Sequence, residues 1–125
     1  MVILDASTVL AALRSEPGGQ ALWARLAGAR ISSVNLSEIV SKLIDLGSDP
    51  DTALQDVSAL RLDVVPFDRE TALLAGRLRA DTRHRGLSLG DRACLALAIR
   101  ESATALTADR AWVDLDLPCK VELIR

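Results

Sequence analysis

Short runs of β-branched and apolar residues alternate with helical stretches along the whole of this 125-residue chain. That alternation constrains the fold more than any single residue does. The runs fall at residues 2–5, 30–32, 62–65, 104–107 and 120–124, each too short for a helix and bounded by turn or helix-start signals. Between them lie segments with helical spacing. In the clearest, Leu36, Ile39, Val40, Leu43 and Ile44 fall at i, i+3, i+4, i+7 and i+8, and Gly47 ends the pattern. Strands that alternate with helices imply βαβ crossovers. The expected fold is a three-layer α/β/α sandwich around a mainly parallel five-stranded sheet, with one domain spanning residues 1–125.

The remaining helices carry their own start and stop signals. Ser7 or Thr8 opens a helix through Leu13, which breaks at Pro17-Gly18-Gly19, and a second runs from Gln20 to Leu26. Asp49-Pro50 places a cap residue and an N1 proline ahead of a helix through Leu60. Asp68 caps another helix that runs to about Ala80, and residues 81–87 read as a polar, basic loop. Ser88 then caps a helix whose run Ala93-Cys94-Leu95-Ala96-Leu97-Ala98-Ile99 is apolar on every side. Such a helix is expected to be central and packed against the sheet. Asp109-Arg110-Ala111-Trp112 reads as a helical turn before the last strand.

Four carboxylates stand where these elements meet. Asp5, Glu38 and Asp109 follow the first, second and fourth strands, and Asp91 opens the apolar helix. The carboxyl ends of parallel strands share one edge, and ligands bind in the crevice there. Four acids gathered in one crevice repel unless cations lie between them. Oxygen ligands without His or Cys partners select hard cations, Mg²⁺ or Mn²⁺ rather than Zn²⁺. Each acid also has a purely structural reading. Asp5 and Asp109 can cap helices, and Glu38 and Asp91 stand three residues after Asn35 and Ser88, as in a capping box.

Composition removes several alternatives. His84 is the only histidine, so a two-histidine ribonuclease or zinc pair is impossible, and a Ser-His-Asp triad would have to run through a polar loop. Neither G-x-x-x-x-G-K-[ST] nor G-x-G-x-x-G occurs. Trp23, Phe67 and Trp112 are the only aromatic residues, which leaves little for base stacking. A net charge of −2 argues against generic adhesion to nucleic acid. Lys42 and Lys120 apart, every basic residue is Arg, which suits bidentate phosphate contacts. Cys94 and Cys119 lack C-x-x-C spacing and read as structural thiols of a reducing cytoplasm. No run approaches the roughly 18 apolar residues of a membrane span.

The sequence resembles a known family in four ordered motifs. These are Ile3-Leu4-Asp5-Ala6-Ser7, Ser33-Val34-Asn35-Leu36-Ser37-Glu38, Leu87-Ser88-Leu89-Gly90-Asp91 and Leu106-Thr107-Ala108-Asp109-Arg110-Ala111-Trp112. They look like those of the PIN-domain ribonucleases, and most like the VapC-type toxins of bacterial toxin–antitoxin pairs. The resemblance implies a Mg²⁺- or Mn²⁺-dependent endoribonuclease that is dimeric and inhibited by a small antitoxin protein. Asp5, Glu38, Asp91 and Asp109 match the family's acidic quartet, and Ser7 and Thr107 its supporting polar positions.

On this reading the metal sits on Asp5 and Asp91, with Glu38 and Asp109 as direct or water-mediated ligands. It acidifies a water and stabilises the leaving 3′ oxygen, so the RNA 2′-OH takes no part. Arg83, His84, Arg85 and Arg92 are expected to position phosphates, from their place in the sequence. The rival reading is a catalytically weak module of the same fold that binds RNA or a partner without cutting. A phosphoacceptor signalling domain fits less well, because Asp5 is followed by Ala6-Ser7 and no lysine lies near Thr107.

Overall fold

The structure, a computed structural model, describes residues 1–125. Its sheet is built on β1 (Val2–Leu4), which is buried along its length. On one side β1 pairs with β2 (Arg30–Ser32), which pairs with β3 (Asp63–Val65). On the other it pairs with β4 (Thr104–Thr107), which pairs with β5 (Val121–Leu123). The order is β3-β2-β1-β4-β5 and every pairing is parallel. The chain therefore winds outward from β1 through β2 to β3, then crosses back to lay β4 against the other side of β1. That reversal puts a topological switch point at the carboxyl ends of β1 and β4.

Alternation along the strands divides the interior into two cores. Val2, Leu4, Ile31 and Leu106 face α1 (Ala6–Leu13), α2 (Gln20–Arg25), α3 (Ser33–Asp45) and α4 (Pro50–Ala59), where Val9, Leu22, Ile39 and Val57 meet them. Ile3 and Ala105 face the opposite layer, where α5 (Arg69–Arg77) and α7 (Leu89–Arg100) supply Ala75 and the run Cys94–Ala98. Each fully buried Ile, Leu or Val is worth roughly 1.5–3 kcal/mol of transfer free energy. The three-layer α/β/α arrangement and the central, all-round burial of α7 are those expected from the sequence.

Local chemistry explains where the helices begin. Asp49 accepts from the amides of Asp51 and Thr52 ahead of Pro50 at the start of α4. Asp68 accepts from the amide and hydroxyl of Thr71 at the start of α5. Arg100, at the end of α7, reaches back to Asp68 and Glu70 and ties the two helices of that layer together.

Two sequence expectations are corrected. Residues 81–87 are largely helical rather than a loop: α6 (Arg79–Thr82) is followed by a 3-10 turn at Arg83–Arg85. The buried Thr82 hydroxyl bonds the Leu78 carbonyl at 2.8 Å, which continues the turn, and Gly86 ends it at φ 63°. Glu38 is not the third residue of a capping box. The N-cap of α3 is Ser32, the last residue of β2, whose hydroxyl accepts from Val34 N. Glu38 consequently stands in the second turn of α3.

Candidate active site

Asp5 leaves β1 at the switch point and turns the chain into α1. It occupies the N-cap position, yet its side chain caps nothing. Instead Oδ2 accepts from Ser7 Oγ at 2.6 Å and from Thr107 Oγ1, at the end of β4, at 2.8 Å. The two hydroxyls lie 3.3 Å apart. Each is itself held by the backbone: Ala108 N donates to Ser7 Oγ at 2.9 Å and Asp109 N to Thr107 Oγ1 at 3.0 Å. Ser7 and Thr107 thus lock the Asp5 carboxylate and fix the segment that carries Asp109.

The other three acids converge from separate elements. Glu38 comes from α3, and Asp91 from the first turn of α7. Asp109 lies just beyond β4, where it caps the 3-10 turn Arg110–Trp112 through a 2.9 Å bond from Ala111 N. Asp91 does form a capping box with Ser88: each side chain accepts from the other's backbone amide. The structural and functional readings are therefore compatible here. Asp5, Glu38, Asp91 and Asp109 all line one cavity of about 660 Å³.

Electrostatics mark this cavity as short of positive charge. Burial pushes the Asp5 carboxyl up from 3.8 to about 6, against the opposing bonds from Ser7 and Thr107, and the nearby Asp91 adds to the rise. Burial likewise raises Glu38, with Asp5 and Asp91 adding to it while the bond from Asn35 opposes it. Asp91 is raised by burial first, with its Ser88 bonds opposing and Asp109 adding to the rise.

The cavity wall also holds residues that the sequence reading missed. Ser37, Ser41, Lys42 and Asp45 of α3 line it. Counted from Glu38, Ser41, Lys42 and Asp45 fall at i+3, i+4 and i+7, so a polar stripe at helical spacing was the available signal. Lys42 is the one basic residue of the wall, yet every salt bridge of the chain is made by an arginine. Lys42 is exposed at the wall of this acidic cavity and forms no salt bridge.

The expected basic residues stand elsewhere. Arg83, His84, Arg85 and Arg92 do not line the cavity. Arg83 and His84 are exposed on the 3-10 turn. Arg85 donates to the Ala111 carbonyl at 3.3 Å, which sets that turn beside the segment following Asp109. Arg92 is directed away, to the Ala75 carbonyl at 3.0 Å. Cys94 and Cys119 are both free, and burial raises the Cys94 thiol well above its ordinary range.

An all-oxygen donor set suits a hard divalent cation, and burial raises the carboxyls of Asp5, Glu38 and Asp91 within it. As the side chains stand, no three acids converge on one ligating point. Hydrogen bonds anchor one oxygen of each: Asp5 Oδ2, Glu38 Oε1, Asp91 Oδ2 and Asp109 Oδ1. Ligation therefore needs side-chain rotation, while the donor chemistry and the uncompensated charge fit the ion.

Solved structures of similar fold come from several bacteria. A chain of DNA-bound VapBC from Salmonella typhimurium aligns at a TM-score of 0.78 with 18% identity, over 99% of this chain and 98% of that one. FitAcB from Neisseria gonorrhoeae aligns at 0.72 with 20% identity, over 97% and 96%. VapC20 of Mycobacterium tuberculosis, described as a toxin that cleaves the sarcin–ricin loop, aligns at 0.73 with 16% identity, over 88% and 91%. No curated protein matches the chain. Similarity to a sequence family, the PIN domain, spans nearly the whole length, residues 2–117: the chain belongs to the PIN domain family.

Proposed function

We propose that this chain is a divalent-metal-dependent endoribonuclease, one nuclease domain over residues 1–125, acting as the toxin of a toxin–antitoxin pair. One observation carries the reading. Asp5, Glu38, Asp91 and Asp109 come from four separate elements to one cavity at the switch point, and Ser7 and Thr107 hold the most buried of them in place. Membership of the PIN domain family and the likeness to VapBC, FitAcB and VapC20 support it. A pure binding module gains nothing from concentrated negative charge facing phosphates, which argues against the non-catalytic alternative.

Asp5 and Asp91 would hold Mg²⁺ or Mn²⁺, with Glu38 and Asp109 as direct or water-mediated ligands. Such an ion supplies an acidified water and charge stabilisation at the phosphate and the leaving oxygen. The protein's own contribution is positioning. Ser7 and Thr107 hold Asp5 Oδ2 and so fix the carboxylate at the cavity wall, and the capping box fixes Asp91 at the start of α7. Lys42 offers a cation to a phosphate entering along α3. Arg85 offers another beside the segment that follows Asp109, and Arg83 and His84 stand exposed on the same turn, whereas Arg92 is engaged with the backbone.

RNA is the proposed substrate, and an antitoxin protein and a second copy of the chain are the proposed partners. No helix is long and apolar enough to cross a membrane, and action in the cytoplasm is part of the same proposal. The test is the chemistry of the product ends. Attack by water leaves a 5′-phosphate and a 3′-hydroxyl, and cutting persists when the scissile nucleotide is 2′-deoxy. Products with 2′,3′-cyclic phosphate ends would show attack by the 2′-OH and overturn the reading.

A further inference from the structure

Asn35 is fully buried on α3, one turn before Glu38, and its amide faces two acceptors. Nδ2 donates to Glu38 Oε1 at 2.8 Å and to the Gly90 carbonyl of α7 at 3.0 Å. Only the NH₂ end can meet two acceptors, so the orientation of the amide is fixed. Oδ1 then points to no partner. A buried acceptor without a donor is costly, and an apolar side chain would avoid that cost. What position 35 gains from Asn is the pair of donated bonds.

Gly90 supplies the opposing wall. A Cβ at this position would lie 2.0 Å from Glu38 Oε1 and 2.4 Å from Oε2. The carboxylate therefore rests against a stretch of backbone that only glycine leaves open. Gly90 immediately precedes Asp91, so the same contact sets the spacing between Glu38 on one side of the cavity and Asp91 on the other.

We propose that Asn35 and Gly90 form a mould for the Glu38 carboxylate, and that this placement determines how tightly the cavity binds a divalent cation. Both act through Glu38 and are positioning residues. The inference rests on the cation reading of the cavity. Outer partners of metal ligands typically change affinity by about 10- to 100-fold when altered.

Gly90→Ala separates this role from general structural support. Gly90 lies in the first turn of α7, where Ala is the better helix former. The atoms in its way belong to the tip of a flexible side chain, so the variant keeps the fold and displaces Glu38. The experiment is Mn²⁺ titration calorimetry on chelator-stripped protein, with thermal unfolding of the metal-free forms alongside. Wild type, Gly90→Ala and Asn35→Ala are compared, each also in a Glu38→Gln background.

Expected is Mn²⁺ binding at least about 10-fold weaker in both variants, no loss of metal-free melting temperature in Gly90→Ala, and no further weakening by either change once Glu38 is Gln. Should Asn35→Ala fail to fold, Gly90→Ala carries the test alone. Unchanged Mn²⁺ affinity in Gly90→Ala, or an equal loss in the Glu38→Gln background, would overturn the mould while leaving the cation reading intact. Absence of Mn²⁺ binding by wild type would overturn both.

Discussion

Asp5→Asn should make the metal-free protein more stable, because Asp5 is nearly inaccessible, at 4% exposure, and shares its cavity with other acids. Its carboxyl is raised from 3.8 to about 6. At 1.36 kcal/mol per pH unit, ionised Asp5 costs the folded, metal-free chain about 3 kcal/mol. The sign follows from the direction. The folded state holds this proton more tightly than the unfolded state, so the contribution is fully present below about pH 4 and is lost as pH rises through about 6. An Asn at this position keeps an oxygen to accept from Ser7 and Thr107 and removes the charge.

A chain of this size shifts its Tm by roughly 3–5 °C per kcal/mol. Thermal unfolding in chelator at pH 8 should then show the Asp5→Asn protein melting on the order of 10 °C above wild type. At pH 5, where wild-type Asp5 is mostly protonated in the folded state, the gap should fall to about half. Saturating Mn²⁺ should favour wild type instead, since the ion stabilises whichever form binds it. A variant no more stable than wild type in chelator at pH 8 would refute the claim that uncompensated charge is stored at Asp5.

Two further outcomes are expected. Lys42→Met should weaken RNA binding by the inactive Asp91→Asn protein and reduce the salt dependence of log K by about 0.7 for a single-stranded probe. An unchanged slope in fluorescence anisotropy would remove Lys42 from the phosphate path. The partner should occupy the acidic cavity with a basic side chain, because an Arg guanidinium can satisfy two carboxylates in the space of the cation. Inhibition should therefore weaken as Mg²⁺ rises, and Glu38→Gln or Asp109→Asn should lower partner affinity in calorimetry. Indifference to both would place inhibition at a remote surface.

Much of the fold was legible because local signals and burial agree. The strand runs, the Asp49-Pro50 start of α4 and the Ser88–Asp91 box all appear where their chemistry places them. Parallel pairing then carries Asp5 and Asp109 to one edge. Local reasoning failed where a side chain had two possible duties. Asn35 and Glu38 have the spacing of a capping box, yet Ser32 had already taken the cap, which left Asn35 to bridge two helices. That bridge joins residues 55 positions apart and depends on how α3 docks against α7, which no local pattern encodes. Residues 81–87 misled for a similar reason. Their polarity resembles that of a loop, while the buried Thr82 hydroxyl continues the helical turn. The polar stripe of Ser41, Lys42 and Asp45 was readable from the periodicity that marks the apolar face of α3. It gains meaning only once Glu38 is placed in the cavity.

Whether the acidic cavity cuts RNA through a bound cation is the central question, and one comparison answers it most directly. Wild-type and Asp91→Asn protein are incubated with a mixed tRNA and rRNA pool in Mg²⁺, in Mn²⁺ and in chelator. The amide keeps the shape of the aspartate and loses the charge that holds the ion. Expected is cleavage by wild type in either metal, none in chelator, and none by Asp91→Asn under any condition. Cleavage by Asp91→Asn in chelator at the wild-type rate would contradict the metal-dependent mechanism and return the four carboxylates to a structural role.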